Sequence, residues 1–167
     1  MALSKRLKQK IGLVAAGGAI AIAIAVLGGS DGLEGRKYSP YKDVAGVLTV
    51  CDGHTGRDII AHKKYTDVEC DELLQQDLQP VFAAIERSVS VPMSEHRKAA
   101  LASFGYNVGI NALTRSTLMK KLNQGDTTEA CNELRRWVHA GGKVWKGLVH
   151  RREVERELCL IPNAVVQ

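Results

Sequence analysis

The chain has 167 residues, 25% of them charged and 45% apolar, with a formal net charge of +5. That balance excludes a disordered polymer and leaves enough chain for one ordinary domain, at most bilobal, with a real core. The positive charge is local, because Lys5, Arg6, Lys8 and Lys10 hold four of the 23 basic groups and none of the 18 acids, leaving 19 against 18 (net +1) in residues 30–167.

Residues 11–29 form a charge-free run of four Ile, two Leu, two Val, six Ala and five Gly. As a helix it spans about 28 Å, close to the roughly 30 Å hydrocarbon core of a bilayer. The basic arm just upstream holds the N-terminus inside by the positive-inside rule. The expectation is a single-pass anchor, N-in and C-out, in a bacterial inner membrane. A cleavable signal peptide is the main rival, although its apolar core is usually shorter, about 7 to 15 residues. A buried core helix is the third reading. The dilution by Gly and Ala keeps insertion marginal, since Leu and Ile favour the membrane by only a few tenths of a kcal/mol each.

Next come Leu33-Glu34-Gly35, with Gly35 read as a helix stop after Glu34. Residues 36–60 mix β-branched residues with Gly-rich turns and predict a short antiparallel sheet. Thr66-x-x-Glu69 is a capping box opening a helix whose apolar face runs through Cys70, Leu73, Leu74, Leu78, Val81, Phe82 and Ile85, with Pro80 able to bend it. Ser94 caps a second helix through Phe104, and Thr114 a third that Gly125 ends. Asp126-x-x-Glu129 starts a fourth helix carrying Cys131, Leu134 and Trp137, and a fifth covers about Leu148 to Leu160. The fold class is α+β, a small sheet lobe beside a mainly helical lobe, preceded by a hydrophobic helix. Residues 30–95 are acidic (7 basic, 12 acidic) and 96–167 basic (12 against 6), so the lobes carry opposite charge.

Cys51, Cys70, Cys131 and Cys159 contain no C-x-x-C pair, which argues against a zinc ribbon or thioredoxin-like motif. Disulfides in an oxidising compartment fit better. Of the three pairings, the nearest-neighbour one joins Cys51 to Cys70 and Cys131 to Cys159.

In the stretch EGRKYSPYKDVAGVLTVCDGHTG, Glu34 stands at the end of a helix, Asp43 in a turn and Thr49 on a strand. Two carboxyls on opposite walls of a cleft are what glycoside hydrolysis needs, one protonated to serve the leaving oxygen, one ionised to handle water. By spacing alone, E-x8-D-x5-T is a weak signal, because both acids have ordinary surface readings.

The wider pattern adds to it. Glu34-Gly35, Tyr41-Lys42-Asp43, Gly46, Thr49, Gly53-His54, Gln76-Asp77-Leu78, Asn107-Val108-Gly109, Arg136-Trp137 and Arg151-Arg152 together resemble the T4-type phage lysozymes, glycoside hydrolase family 24. The resemblance covers about residues 31–160 and implies a lysozyme-like fold. The anchor and the cysteines look like the signal-arrest-release endolysins of lambdoid phages, the phage 21 type. A cysteine in the anchor, which cages the active site of some such enzymes, is absent here.

The resemblance implies a muramidase cutting the β-1,4 bond between N-acetylmuramic acid and N-acetylglucosamine in peptidoglycan strands. Glu34 would be the general acid, Asp43 the group activating water, and Thr49 the hydroxyl holding that water. Thr55, Tyr106 and Asn107 would line the saccharide cleft, and His54 would pair structurally with Asp77. No metal or organic cofactor is implied. The segmentation is 1–29 for the anchor and 30–167 for the lysozyme domain, tethered through lipid contacts of residues 11–29 and then a periplasmic monomer. Only Ser30 to Leu33 separate the anchor from Glu34, a joint of about 17 Å when fully extended, so an anchored enzyme is held inactive at the headgroups. A lytic transglycosylase and a non-catalytic wall-binding module are the alternatives.

The remaining conspicuous residues have plain readings. His62, His96, His139 and His150 share no metal-ligand spacing, and Trp137 and Trp145 are read as core rather than sugar platforms. Arg135, Arg136, Lys143, Lys146, Arg151 and Arg152 are read as a solvated basic face, because no nucleic-acid motif accompanies them.

Overall fold

A computed structural model describes residues 2–163. The N-terminal segment is helix α1 (Lys5–Val14), a 3₁₀ turn at Ala15–Gly17, and α2 (Gly18–Leu27). The sheet follows as β1 (Lys37–Lys42), β2 (Leu48–Cys51) and β3 (His54–Thr55), and then α3 (Asp67–Ser88) leads into the helical lobe. That lobe holds α4 (Glu95–Val108), α5 (Ile110–Thr114), α6 (Thr117–Asn123), α7 (Thr127–Asn132), a hairpin of β4 (His139–Ala140) and β5 (Lys143–Val144), and α8 (Lys146–Cys159).

The sheet is antiparallel in the order β1-β2-β3, with Tyr41 opposite Thr49 and Thr49 opposite Thr55. Pro40 is tolerated because β1 is an edge strand, and the register slips beside it, between Lys37 and Tyr41. Val50, Cys51, Tyr65 and Cys70 form a small core beneath the sheet.

The main core surrounds α4, whose residues Ala99 to Gly105 are all buried. A helix apolar on every side has to be central. The N-terminal segment belongs to this same core: Ile22, Ala23 and Leu27 are fully buried within it, beside Leu74, Leu78 and Leu101. In this folded state the apolar run is therefore a kinked core element, close to the third sequence reading. The kink falls at Gly18, whose φ of +73° is left-handed, a region that favours glycine. The Glu95 carboxylate accepts the Ala19 N–H at 2.7 Å and so caps the new helix start. Farther upstream, Glu157 accepts the backbone N–H groups of Ala2 and Leu3.

Both disulfides join nearest neighbours, Cys51 to Cys70 with Cα atoms 5.2 Å apart and Cys131 to Cys159 at 5.8 Å. The Thr66–Glu69 capping box forms as expected, and Pro80 does lie inside α3.

Three expectations need correction, and one element was not foreseen. Ser116, not Thr114, caps α6, because Thr114 closes the unpredicted short α5. The Cys131 helix gives way to a 3₁₀ turn at Glu133–Arg136, so Trp137 lies beyond it. The β4-β5 hairpin was not predicted, since two-residue strands carry no periodicity. Glu34 is not on a helix: α2 stops at Leu27, and Glu34 sits in a turn that folds back onto it.

Candidate active site

The turn carrying Glu34 is tied to the end of α2 by two backbone bonds, Leu33 N–H to Val26 C=O at 3.0 Å and Glu34 N–H to Leu27 C=O at 3.2 Å. Gly32 makes this approach possible, because a β-carbon there would stand 2.2 Å from the Leu27 carbonyl oxygen. The basic arm grips the same turn: Arg6 and Lys10 pair with Asp31 at 3.2 and 3.5 Å, and Lys10 Nζ donates to the Gly28 carbonyl at 3.1 Å.

Glu34, Gly53, Thr55, Asp77, Tyr106 and Asn107 line one recess of about 310 Å³. Three expected cleft residues, Thr55, Tyr106 and Asn107, thus meet Glu34 there. The Glu34 side chain is 18% exposed, and its Oε1 accepts from Arg151 Nη1 at 2.6 Å. Its other oxygen faces the recess, where a β-carbon at Gly53 would lie 3.8 Å from Oε2. A residue larger than glycine at 53 would narrow this space. The Tyr106 hydroxyl donates to the Asp52 carbonyl at 2.8 Å, and burial pushes its proton affinity up, so it stays a donor.

Asp43 and Thr49 stand outside that lining, in the turn between β1 and β2 and on β2. Asp43 Oδ1 accepts the N–H groups of Ala45 and Val47 at 2.8 and 2.9 Å, so the turn's own backbone holds one oxygen of the carboxylate. Thr49 Oγ1 donates to the Val47 carbonyl at 3.0 Å, which leaves its lone pairs as acceptors. Thr49 is one strand from Thr55 in the recess wall.

Arg151 and Arg152 are buried, which corrects their reading as part of a solvated face. Charge compensation explains this. The fully buried Glu155 carboxylate takes Arg151 Nε at 3.1 Å, the Ser103 hydroxyl at 2.7 Å, and Arg152 Nη1. Arg152 also donates to the Trp137 carbonyl at 3.0 Å and to Asn107 Oδ1. Burial opposes the charge on Arg151, but Glu34 and Glu155 outweigh it and hold its proton affinity above the ordinary value. A chain of charges thus links Glu34 to the amide of Asn107. The i, i+4 and i, i+3 spacing of Glu155 from the two arginines is the sequence signal that could have exposed it. A second buried pair was also missed: Arg36 Nη2 meets Asp52 at 2.6 Å, with Asp71 at 2.6 Å and Asp67 at 2.9 Å. It braces the strand end where Cys51 takes a left-handed φ of 57°.

His54 Nδ1 lies 2.9 Å from Asp77 Oδ2 and its Nε2 3.1 Å from Asp58. Burial alone would depress its proton affinity, but the bonds to Asp77 and Asp58 outweigh it and raise it. The pair therefore adds stability below the unfolded value near about pH 6.5 and loses it as pH rises through the raised folded value. Asp77→Asn should cost about 1–2 kcal/mol at about pH 5.5 and much less at about pH 8. Thermal unfolding at the two pH values checks this; an equal loss at both would refute it.

The family model described as Phage lysozyme matches residues 31–155. The chain belongs to the phage lysozyme family, and it is a phage endolysin. It is 53% identical over 163 residues to the SAR-endolysin of Bacteriophage PS119, covering 96% of this chain and 98% of that one. To the SAR-endolysin of Enterobacteria phage P21 it is 51% identical over 157 residues, covering 92% and 95%. Among solved structures, the active form of the P1 phage endolysin Lyz superimposes with a TM-score of 0.73 at 25% identity, covering 94% of this chain and 93% of that one. The endolysin has a lysozyme-like fold and is a lysozyme-type glycosidase, as the sequence resemblance implied.

Proposed function

We propose that this endolysin is a muramidase that hydrolyses the β-1,4 bond between N-acetylmuramic acid and N-acetylglucosamine in peptidoglycan strands. The observation that carries the assignment is Glu34, held on one oxygen by Arg151 while the other opens on a recess lined by Thr55, Asp77, Tyr106 and Asn107. Glu34 gives its proton to the glycosidic oxygen as the C1–O bond breaks. A water held by Thr49 attacks C1 from the opposite face, and Asp43 takes the proton that the water gives up. This inverts the anomeric centre and needs neither metal nor organic cofactor.

The endolysin is first tethered, N-in and C-out, in the host inner membrane by residues 1–29, with residues 30–167 as the lysozyme domain. On release it becomes a periplasmic monomer, and loss of the membrane potential that holds the basic arm is the trigger. The backbone bonds from Leu33 and Glu34 to α2 support an inactive tethered state, because lipid-embedded α2 is not available to brace the Glu34 turn. The test is mass spectrometry of fragments released from purified walls. Hydrolysis leaves reducing muramic ends; anhydro ends would mean a transglycosylase, and binding without fragments a wall-binding module.

A further inference from the structure

A hollow of about 590 Å³ opens where α1 meets the end of α8, and it shares no wall residue with the Glu34 recess. Leu3, Ile11 and Gly12 form one wall, and Arg156, Leu160 and Ile161 the other. Leu3 and Ile11 belong to the main core and Leu160 and Ile161 pack against it, so the walls are apolar below the rim. The rim carries Lys8 and Arg156, with His96 beside them and one anion, Glu157. That anion is already engaged, since Glu157 accepts the backbone N–H groups of Ala2 and Leu3, the latter at 3.1 Å. Arg156 has no such match. Its Nε donates to the neutral Asn132 Oδ1 at 2.7 Å, and the Glu153 carboxylate, 3.9 Å from Nη1, is itself held by Arg135 at 2.5 and 3.0 Å. An apolar hollow with an excess of positive charge at its mouth suits a ligand with an apolar body and an anionic head.

We propose that this hollow binds the anion of a long-chain fatty acid. The acyl chain lies along Leu3, Ile11, Leu160 and Ile161, and the carboxylate meets the Arg156 guanidinium, whose planar fork matches two carboxylate oxygens. The two walls come from opposite ends of the protein, one from the N-terminal segment and one from α8. A bound chain therefore bridges them, and the site exists only while α1 is packed. By mass action, a ligand at about ten times its Kd makes the opening of α1 about tenfold rarer.

The test titrates the full chain, in soluble form, with laurate, octanoate and dodecanol, each kept below its solubility and micellar limits. Calorimetry should show one site, with laurate tighter than octanoate by at least about tenfold because four more methylenes are buried. Laurate should also bind about tenfold tighter than dodecanol, which lacks the charge. Arg156→Gln should erase that second difference and leave dodecanol binding unchanged. A β-carbon at Gly12 meets nothing within 4 Å, so the side chain of Gly12→Leu fits without strain and fills the hollow. It should abolish binding of all three ligands while wall clearing stays at the wild-type rate, which also shows that the variant is folded. With laurate at about ten times its Kd, hydrogen exchange of the α1 amides should slow about tenfold. Laurate binding by Gly12→Leu at the wild-type affinity, or binding at several sites, would overturn the proposal as detergent-like adsorption. Equal affinity of the wild-type chain for laurate and dodecanol would overturn the role of the carboxylate. Capture by phosphatidylglycerol vesicles without laurate binding would assign the hollow to a bilayer lipid instead, and a dimer that Gly12→Leu disperses would assign it to a second copy; either result refutes the fatty acid as occupant.

Discussion

Glu34→Gln in the full chain is expected to leave a folded protein whose wall-clearing rate is lower by about 10²- to 10⁴-fold, the usual contribution of a positioned general acid. The fold should survive because the amide oxygen still accepts from Arg151 Nη1, now at 2.6 Å from Glu34 Oε1. Arg151 also keeps the Ser103 carbonyl at 3.0 Å and Glu155 at 3.1 Å, so no buried cation is stranded. What the variant lacks is a proton for the leaving oxygen. Turbidity loss of purified walls, run beside a thermal melt, measures both properties. Clearing at more than a tenth of the wild-type rate would remove Glu34 from the acid role.

The second large effect concerns release. Strengthening the anchor with Leu at Gly18 or Ala23 confounds two effects, since Gly18 has a left-handed φ of +73° and Ala23 is fully buried. Leucine there also damages the folded enzyme, by overpacking that typically costs about 1–3 kcal/mol. Gly12 and Ala16 avoid the problem. Both are exposed in the folded state, and a β-carbon at Gly12 meets nothing within 4 Å. Gly12→Leu with Ala16→Leu should deepen membrane retention by about 1–2 kcal/mol, slowing release about 5- to 30-fold. The same chain purified in soluble form should clear walls at nearly the wild-type rate. Cell lysis timing and fractionation into membrane and periplasm measure the first effect. Lysis on the wild-type schedule, with the protein found in the periplasm, would refute release as the controlling step.

In the proposed scheme of a tethered and a released state, the basic arm serves both by the same charges. Outside the membrane, Arg6 and Lys10 reach Asp31, three residues before Glu34. The cations that favour a cytoplasmic N-terminus therefore become fasteners for the Glu34 turn once the segment packs. Exposed pairs of this kind are individually weak. The buried contacts of Ile22, Ala23 and Leu27 contribute most of the hold.

The sequence by itself determined a good deal. Local rules sufficed for the Thr66–Glu69 box, the Ser94 cap and the antiparallel sheet, because a cap or a hairpin is decided within a few residues. The spacing of Glu34, Asp43 and Thr49 was weak by itself, and it was the resemblance to the phage lysozymes that singled them out; Thr55, Tyr106 and Asn107, named by the same resemblance, lie beside Glu34. Only the tertiary structure decided where the apolar segment packs in the folded enzyme. Hydrophobicity drives burial without naming the partner, so lipid and protein core satisfy residues 11–29 equally well on paper. The same non-locality hid the Arg151–Glu155–Arg152 cluster and the Arg36–Asp52 pair. A charged side chain reads as solvated until a distant element supplies its counter-charge. It also hid the exposure of Trp145, whose ring faces solvent because a two-residue hairpin, invisible to periodicity, holds it there.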